Sequence, residues 1–150
     1  MNKFNEITIC TNASSSPDRG PSAAGLILAN LAGAVLVAKG VFIGNTTCNA
    51  AEYHAMICGL NAARLRGATK VKLRSCSQLL IHQVTGICRV KNPQLRLLHF
   101  KVLKLLQKFS SYTITKVSHK DVIPAHRLAK KAVLLKGDVV ETDGKTRIAS

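Results

Sequence analysis

The arrangement of periodicities restricts the fold of this chain more than any other feature. Strand-like runs come first, and helical patterns follow. "EITICTNAS" alternates and is rich in β-branched residues, which predicts a first strand. After the loop-like "SSSPDRGPS", the apolar runs "AAGLILAN" and "GAVLVAKGVFIG" flank "NLAG", which reads as a hairpin turn. Helical spacing then begins. A helix is expected from Asn49 to Arg66, with Asn49 as N-cap, Glu52 as the acidic partner of a capping box and Gly67 as the stop.

The pattern then returns to strand in "TKVKLRS", where Lys70, Lys72 and Arg74 share one side and Val71 and Leu73 the other. "SQLLIHQVTG" reads as a short helix ended by Gly86. In "NPQLRLLHFKVLKLLQKF", Asn92 can cap and Pro93 suits the first helical position. Leu95, Leu98, Val102, Leu105 and Phe109 fall on one stripe of that helix, and Lys101, Lys104 and Lys108 on another. "SYTITKVS" is a fifth strand and "PAHRLAKKAVLLKG" a last helix. "DVVETDGKTRIAS" reads as a polar tail. The order predicts an α/β domain over residues 1–136, a five-stranded mixed sheet flanked by helices, with a tail over 137–150.

Charge narrows the partner. Lys plus Arg number 22 and Asp plus Glu only 7, a formal net charge of +15. So large an imbalance repels itself in a compact state and usually serves a polyanion. The cations are spread over several elements rather than gathered on one amphipathic helix, which favours nucleic acid over a membrane. Aromatics make up 4% and Trp is absent, so phosphate and sugar contacts are expected to dominate base stacking. The five cysteines form no CxxC pair, so no disulfide framework or zinc knuckle is written here. They read as buried, reduced thiols, in keeping with an intracellular, reducing compartment, cytoplasmic or organellar.

Several blocks together carry a family resemblance. "GPSAAGLIL", "NAAEYHAMICGLNAA", "SQLLIHQVTG", "VKNPQLRLL" and "HRLAKKA" resemble successive blocks of type I ribonuclease H, in its single-domain plant and archaeal forms. The resemblance implies the ribonuclease H-like fold and cleavage of the RNA strand of RNA–DNA hybrids by two metal ions held by four carboxylates. It places those four at Thr11, Glu52, Cys76 and His126, of which only Glu52 is a carboxylate; Asn12, beside Thr11, is none either. One carboxylate cannot neutralise two Mg²⁺ ions. Cys76, His126 and Glu52 would suit zinc better, although nothing in their spacing selects for it.

The resulting expectation is a catalytically inactive ribonuclease H-like protein without metal or cofactor. It would bind structured RNA by its backbone beside other proteins of a ribonucleoprotein such as a ribosome, and no membrane. Candidate contacts are Lys70, Lys72 and Arg74 on the fourth strand, then Arg89 and Lys91. Lys101, Lys104 and Lys108 add a helical stripe, and Lys116, His119 and Lys120 precede the last helix. The resemblance implies a mobile His or Arg at His119. The alternatives are a ribonuclease H-type nuclease with a degenerate or rebuilt site, and a basic protein-interaction module.

Overall fold

In the computed structural model, which describes residues 5–149, the first half of the chain folds as the periodicities predict. Strands β1 (Glu6–Ser15), β2 (Pro21–Ala29) and β3 (Val35–Asn45) form an antiparallel meander. Helix α1 (Cys48–Leu65) follows, then β4 (Lys70–Ser75), α2 (Gln78–Val84) and α3 (Pro93–Leu106). Strand β5 (Ser111–Lys116), a 3₁₀ turn (His119–Val122) and α4 (Ile123–Leu135) complete the expected order. β4 lies parallel to both β1 and β5, as the crossover helices require.

The sheet has seven strands rather than five, in the order β5-β4-β1-β2-β3-β6-β7. The two extra strands, β6 (Val139–Thr142) and β7 (Lys145–Ile148), come from the segment read as a polar tail. Their turn is "DG": Asp143 and Gly144 both have positive φ, 53° and 75°, the geometry of a tight hairpin. Asp138 fixes the junction, its Oδ1 accepting the Phe42 N–H at 2.8 Å.

Helices cover the two faces unequally. α1 packs on β1 and β2 and supports α3, while α4 lies across β1, β2 and β3. Ile9 and Thr11 turn their methyl groups toward Gly59 of α1; Gly25, on the other face, meets the Ala125 carbonyl of α4. The main core holds Ile7, Ile9, Leu73, Tyr53, Met56 and Leu60 with the inner stripe of α3. On that stripe Leu106 is buried and Leu105 only partly so, one residue from the expected register. Asn92 caps α3 as expected, its Oδ1 accepting from the N–H groups of Gln94 and Leu95.

The start of α1 differs from the expected capping box. Thr47 is the N-cap, its hydroxyl accepting the Ala50 N–H at 3.1 Å. Glu52 therefore lies beyond the first turn and takes no part in the cap. The cysteines are also less buried than expected: all are free, and Cys48 and Cys88 are exposed. Among the described residues no helix is long and apolar enough to cross a membrane.

Candidate active site and basic surfaces

The middle of β1 and the end of β4 meet α1 just beyond its first turn and the first turn of α4, and the candidate residues converge there with one substitution. Side chains alternate along a strand, so neighbours face opposite ways. Thr11 shares the α1 face with Ile9. Asn12 pairs with Gly25 in the β1–β2 register and so shares the α4 face. Asn12, not Thr11, therefore belongs to the cluster. Its Oδ1 lies 2.7 Å from His126 Nδ1, and its Nδ2 donates to Cys76 Sγ at 3.2 Å. Asn12 is 3% exposed, so both ends of its amide find protein partners where water is excluded. An amide oxygen only accepts, so His126 must donate from Nδ1, which leaves Nε2 as its free nitrogen.

Glu52 approaches from α1. It is 8% exposed, and its Oε1 has no hydrogen-bond partner. Burial pushes its carboxyl from the ordinary 4.5 up to about 7. Its charge reaches Cys76, whose thiol is raised first by burial and then by Glu52. Cys10, one position before Thr11 on β1, adds a second thiol, which donates to the Asp121 carbonyl at 3.7 Å. Burial raises Cys10 most, against the lowering effect of Arg74. Neither thiol is set up as a thiolate nucleophile. His119 stands edge-on to His126 with ring centroids 5.7 Å apart, and Asp121 closes the turn by accepting from Ser118.

The two-Mg²⁺ centre implied by the resemblance does not fit this donor set. Mg²⁺ takes hard oxygen ligands, and the cluster offers one carboxylate and one amide oxygen already bonded to His126. Among the described residues no three His, Cys, Asp or Glu side chains are grouped so as to hold a metal ion, so the zinc alternative gains no support. The side chains present are suited to acid–base chemistry: a carboxylate titrating near neutrality and an imidazole with its other nitrogen tied down.

The candidate cations do not form one patch. Arg74 lies close enough to the turn to lower both Cys10 and Asp121, and Lys116 close enough to lower Cys76. With His119 and Lys120 they surround the cluster. Lys70 and Lys72 continue along the side of β4 opposite buried Val71 and Leu73, and Lys72 pairs with Glu6 at 3.8 Å. Arg89 and Lys91 line a separate open cleft of about 760 Å³ with Arg96 and His99, at the α2–α3 connection. Lys101 and Lys104 stand on the outer side of α3, and Lys108 just beyond its end joins them.

A mixed sheet in this order, with the cluster where β1, β4, α1 and α4 meet, defines a ribonuclease H-like protein. The chain belongs to that family: the family model described as "Reverse transcriptase-like" matches residues 11–132. Ribonuclease HI of Halobacterium salinarum is 36% identical over 114 residues, 76% of this chain and 57% of that protein. A bifunctional protein of Mycobacterium tuberculosis is 34% identical over 91 residues, 61% of this chain and 25% of that one. The chain thus spans little more than half the length of the first relative and a quarter of the second. Among solved structures, RNase H1 from Halobacterium salinarum superposes with a TM-score of 0.84 at 32% identity, covering 88% of this chain and 99% of that one. LC11-RNase H1, in complex with an RNA/DNA hybrid, gives 0.82 at 25% identity, covering 87% and 98%.

These likenesses overturn the expectation of a non-enzyme. A relative named Ribonuclease HI is 36% identical over 76% of this chain, which gives no ground for calling the chain a non-enzyme. None of the relatives described here is a ribosomal protein or ribonucleoprotein component by name, so that expectation gains no support.

Proposed function

We propose that this chain is a ribonuclease H-type nuclease domain that acts on RNA–DNA hybrids through a rebuilt acid–base centre. Glu52 carries the reading. It is a buried carboxylate with a partnerless oxygen, titrating near pH 7, at the place where the family resemblance puts a functional acid. A carboxyl raised toward neutrality by burial suits a general base, whose pKa should lie near the operating pH. In this reading Glu52 takes a proton from the attacking water. His126 enters the step protonated on both ring nitrogens, with Nδ1–H held by Asn12; its Nε2–H passes to the leaving oxygen of the RNA strand as that P–O bond breaks, while the proton on Glu52 returns to solvent and His126 regains one from it. Arg74, Lys116 and Lys120 supply the positive surroundings that the scissile phosphate needs.

The test is cleavage of an RNA–DNA hybrid labelled on its RNA strand, run with Mg²⁺, with Mn²⁺ and with chelator. Cleavage lost in both Glu52→Gln and His126→Ala, with hybrid affinity retained, supports the reading. No RNA cleavage under any of the three conditions removes it.

A further inference from the structure

A second basic surface lies outside the cluster, and its composition differs from that of an ordinary solvated helix face. On the outer side of the α1–α3 layer, a shallow groove of about 400 Å³ is lined by Ile57, Asn61, Phe100, Leu105 and the three lysines 101, 104 and 108. Ile57 and Leu105 give it an apolar floor and Asn61 a polar edge. Phe100 is 57% exposed, with Lys104 Nζ 5.5 Å from its ring centroid. Solvated helix faces usually intersperse both signs. Here the sequence holds no Asp or Glu from Tyr53 to Lys120. Among the described residues the only ion pair is Lys72–Glu6, on the sheet.

The groove is also set apart from Glu52. Ile57 and Asn61 lie five and nine residues further along α1, roughly 8 and 14 Å at about 1.5 Å per residue. Asn61 is exposed and Ile57 partly so, whereas Glu52 is buried.

We propose that this groove is a docking track for single-stranded nucleic acid, separate from the hybrid site. A base stacks on Phe100 over the apolar floor, Asn61 meets its edge, and Lys101, Lys104 and Lys108 take the flanking phosphates. Stacking on an aromatic ring tolerates any base, and ammonium groups contact phosphate without reading sequence, so the track is sequence-tolerant. Lys104, which now covers Phe100, moves to phosphate when a base takes its place. Charge selects the polyanion, and the exposed ring favours unpaired bases over duplex, whose π-faces are already stacked.

The chain's lack of Trp gives a clean probe. In Phe100→Trp, a twelve-nucleotide oligouridine should quench the new fluorophore while the hybrid site is saturated with an uncleavable hybrid of DNA and 2′-O-methyl RNA. In the unmodified chain, anisotropy of labelled oligouridine reports the same event without the substitution. Replacing Lys101, Lys104 and Lys108 together with Gln should flatten the slope of log affinity against log salt by about two units, at ~0.7 per single-strand contact. At about 0.1 M salt that amounts to a loss on the order of a hundredfold. Hybrid binding and cleavage should stay unchanged. The proposal is overturned if oligouridine neither quenches nor binds in the presence of hybrid. It is also overturned if the triple variant loses hybrid binding equally, or if polyglutamate quenches as strongly as oligouridine, which would mark a protein-docking surface. Hybrid cleavage can fail in the unmodified chain without touching these outcomes.

Discussion

His126 Nδ1 and Asn12 Oδ1 stand 2.7 Å apart across 114 residues of sequence. The bond joins the middle of β1 to the first turns of α4, and Asn12 extends it to Cys76 at the end of β4. One side chain thus ties together three elements that meet at the cluster. Asn suits this position because its amide can donate and accept at once.

Asn12→Ala should therefore affect stability and His126 together. It leaves His126 Nδ1 and Cys76, both partly exposed, without their shared buried partner. The expected cost is about 1–3 kcal/mol. Thermal unfolding measures that cost. ¹⁵N spectra of the imidazole should show one fixed tautomer in the unmodified chain and a mixture in Asn12→Ala. A single tautomer in both would mean that Asn12 does not orient the ring.

Glu52 makes stability depend on pH in a direction opposite to that of most carboxylates. Its pKa is about 7 when folded, raised from 4.5. Between those values the folded protein keeps a proton that the unfolded chain has released. Stability from this group is full below about pH 4.5 and is lost as pH rises through 7. At about 1.4 kcal/mol per pH unit, the full difference is on the order of 3 kcal/mol. Glu52→Gln removes the titration, so the gap between variant and unmodified chain should grow from pH 4 to pH 8 in favour of Gln. Urea unfolding at several pH values checks this, and a gap that stays constant would refute it.

The same cluster shows what the sequence could and could not convey. Periodicity was sufficient for β1 to β5 and the helices, because each has a buried face that repeats at its own period. The β6–β7 hairpin escaped because Val139, Val140 and Ile148 do not form an alternating apolar pattern in a polar segment, although its "DG" turn was a readable signal. Asn12 was legible too: Ile7 and Ile9 belong to the core on the α1 side, so alternation sends Thr11 there and Asn12 to the other face. The state of Glu52 was not legible. Its burial and its partnerless oxygen depend on how β1, β4 and α1 come together, and a sequence pattern suggestive of a capping box pointed elsewhere.

A polar contact inside the helical layer gives a stability test away from the cluster. The Tyr53 hydroxyl donates to Gln83 Oε1 at 2.6 Å, and the Gln83 carbonyl lies 3.0 Å from His99 Nε2. Burial lifts the Tyr53 phenol to about 12, so it remains a donor at any ordinary pH. Tyr53→Phe leaves a buried amide oxygen without its donor and should cost about 1–3 kcal/mol. Adding Gln83→Leu removes the orphaned group along with its partner and should restore part of the loss. The double-mutant cycle reads the coupling directly, and strictly additive costs would show that the pair is not coupled.

The position of His126 depends on how closely α4 approaches the sheet, and Gly25 sets that distance. A Cβ placed on Gly25 would lie 1.7 Å from the Ala125 carbonyl oxygen and 2.6 Å from its carbon. Both are backbone atoms in the first turn of α4, next in sequence to His126, so no side-chain rotation relieves the clash. Gly25→Ala must lift that turn off β2, at about 3 kcal/mol or more. Because His126 moves with the turn while Asn12 stays on β1, their bond should be lost even in molecules that remain folded. Gly137→Ala is the control: its Cβ would meet only the Leu135 carbonyl at 3.8 Å, so it should change stability by no more than about 0.5 kcal/mol. Thermal unfolding of both variants, with imidazole ¹⁵N spectra of Gly25→Ala, separates the two effects. If Gly25→Ala proved as stable as Gly137→Ala and kept the His126 tautomer fixed, the close approach of α4 would not be what holds His126 in place.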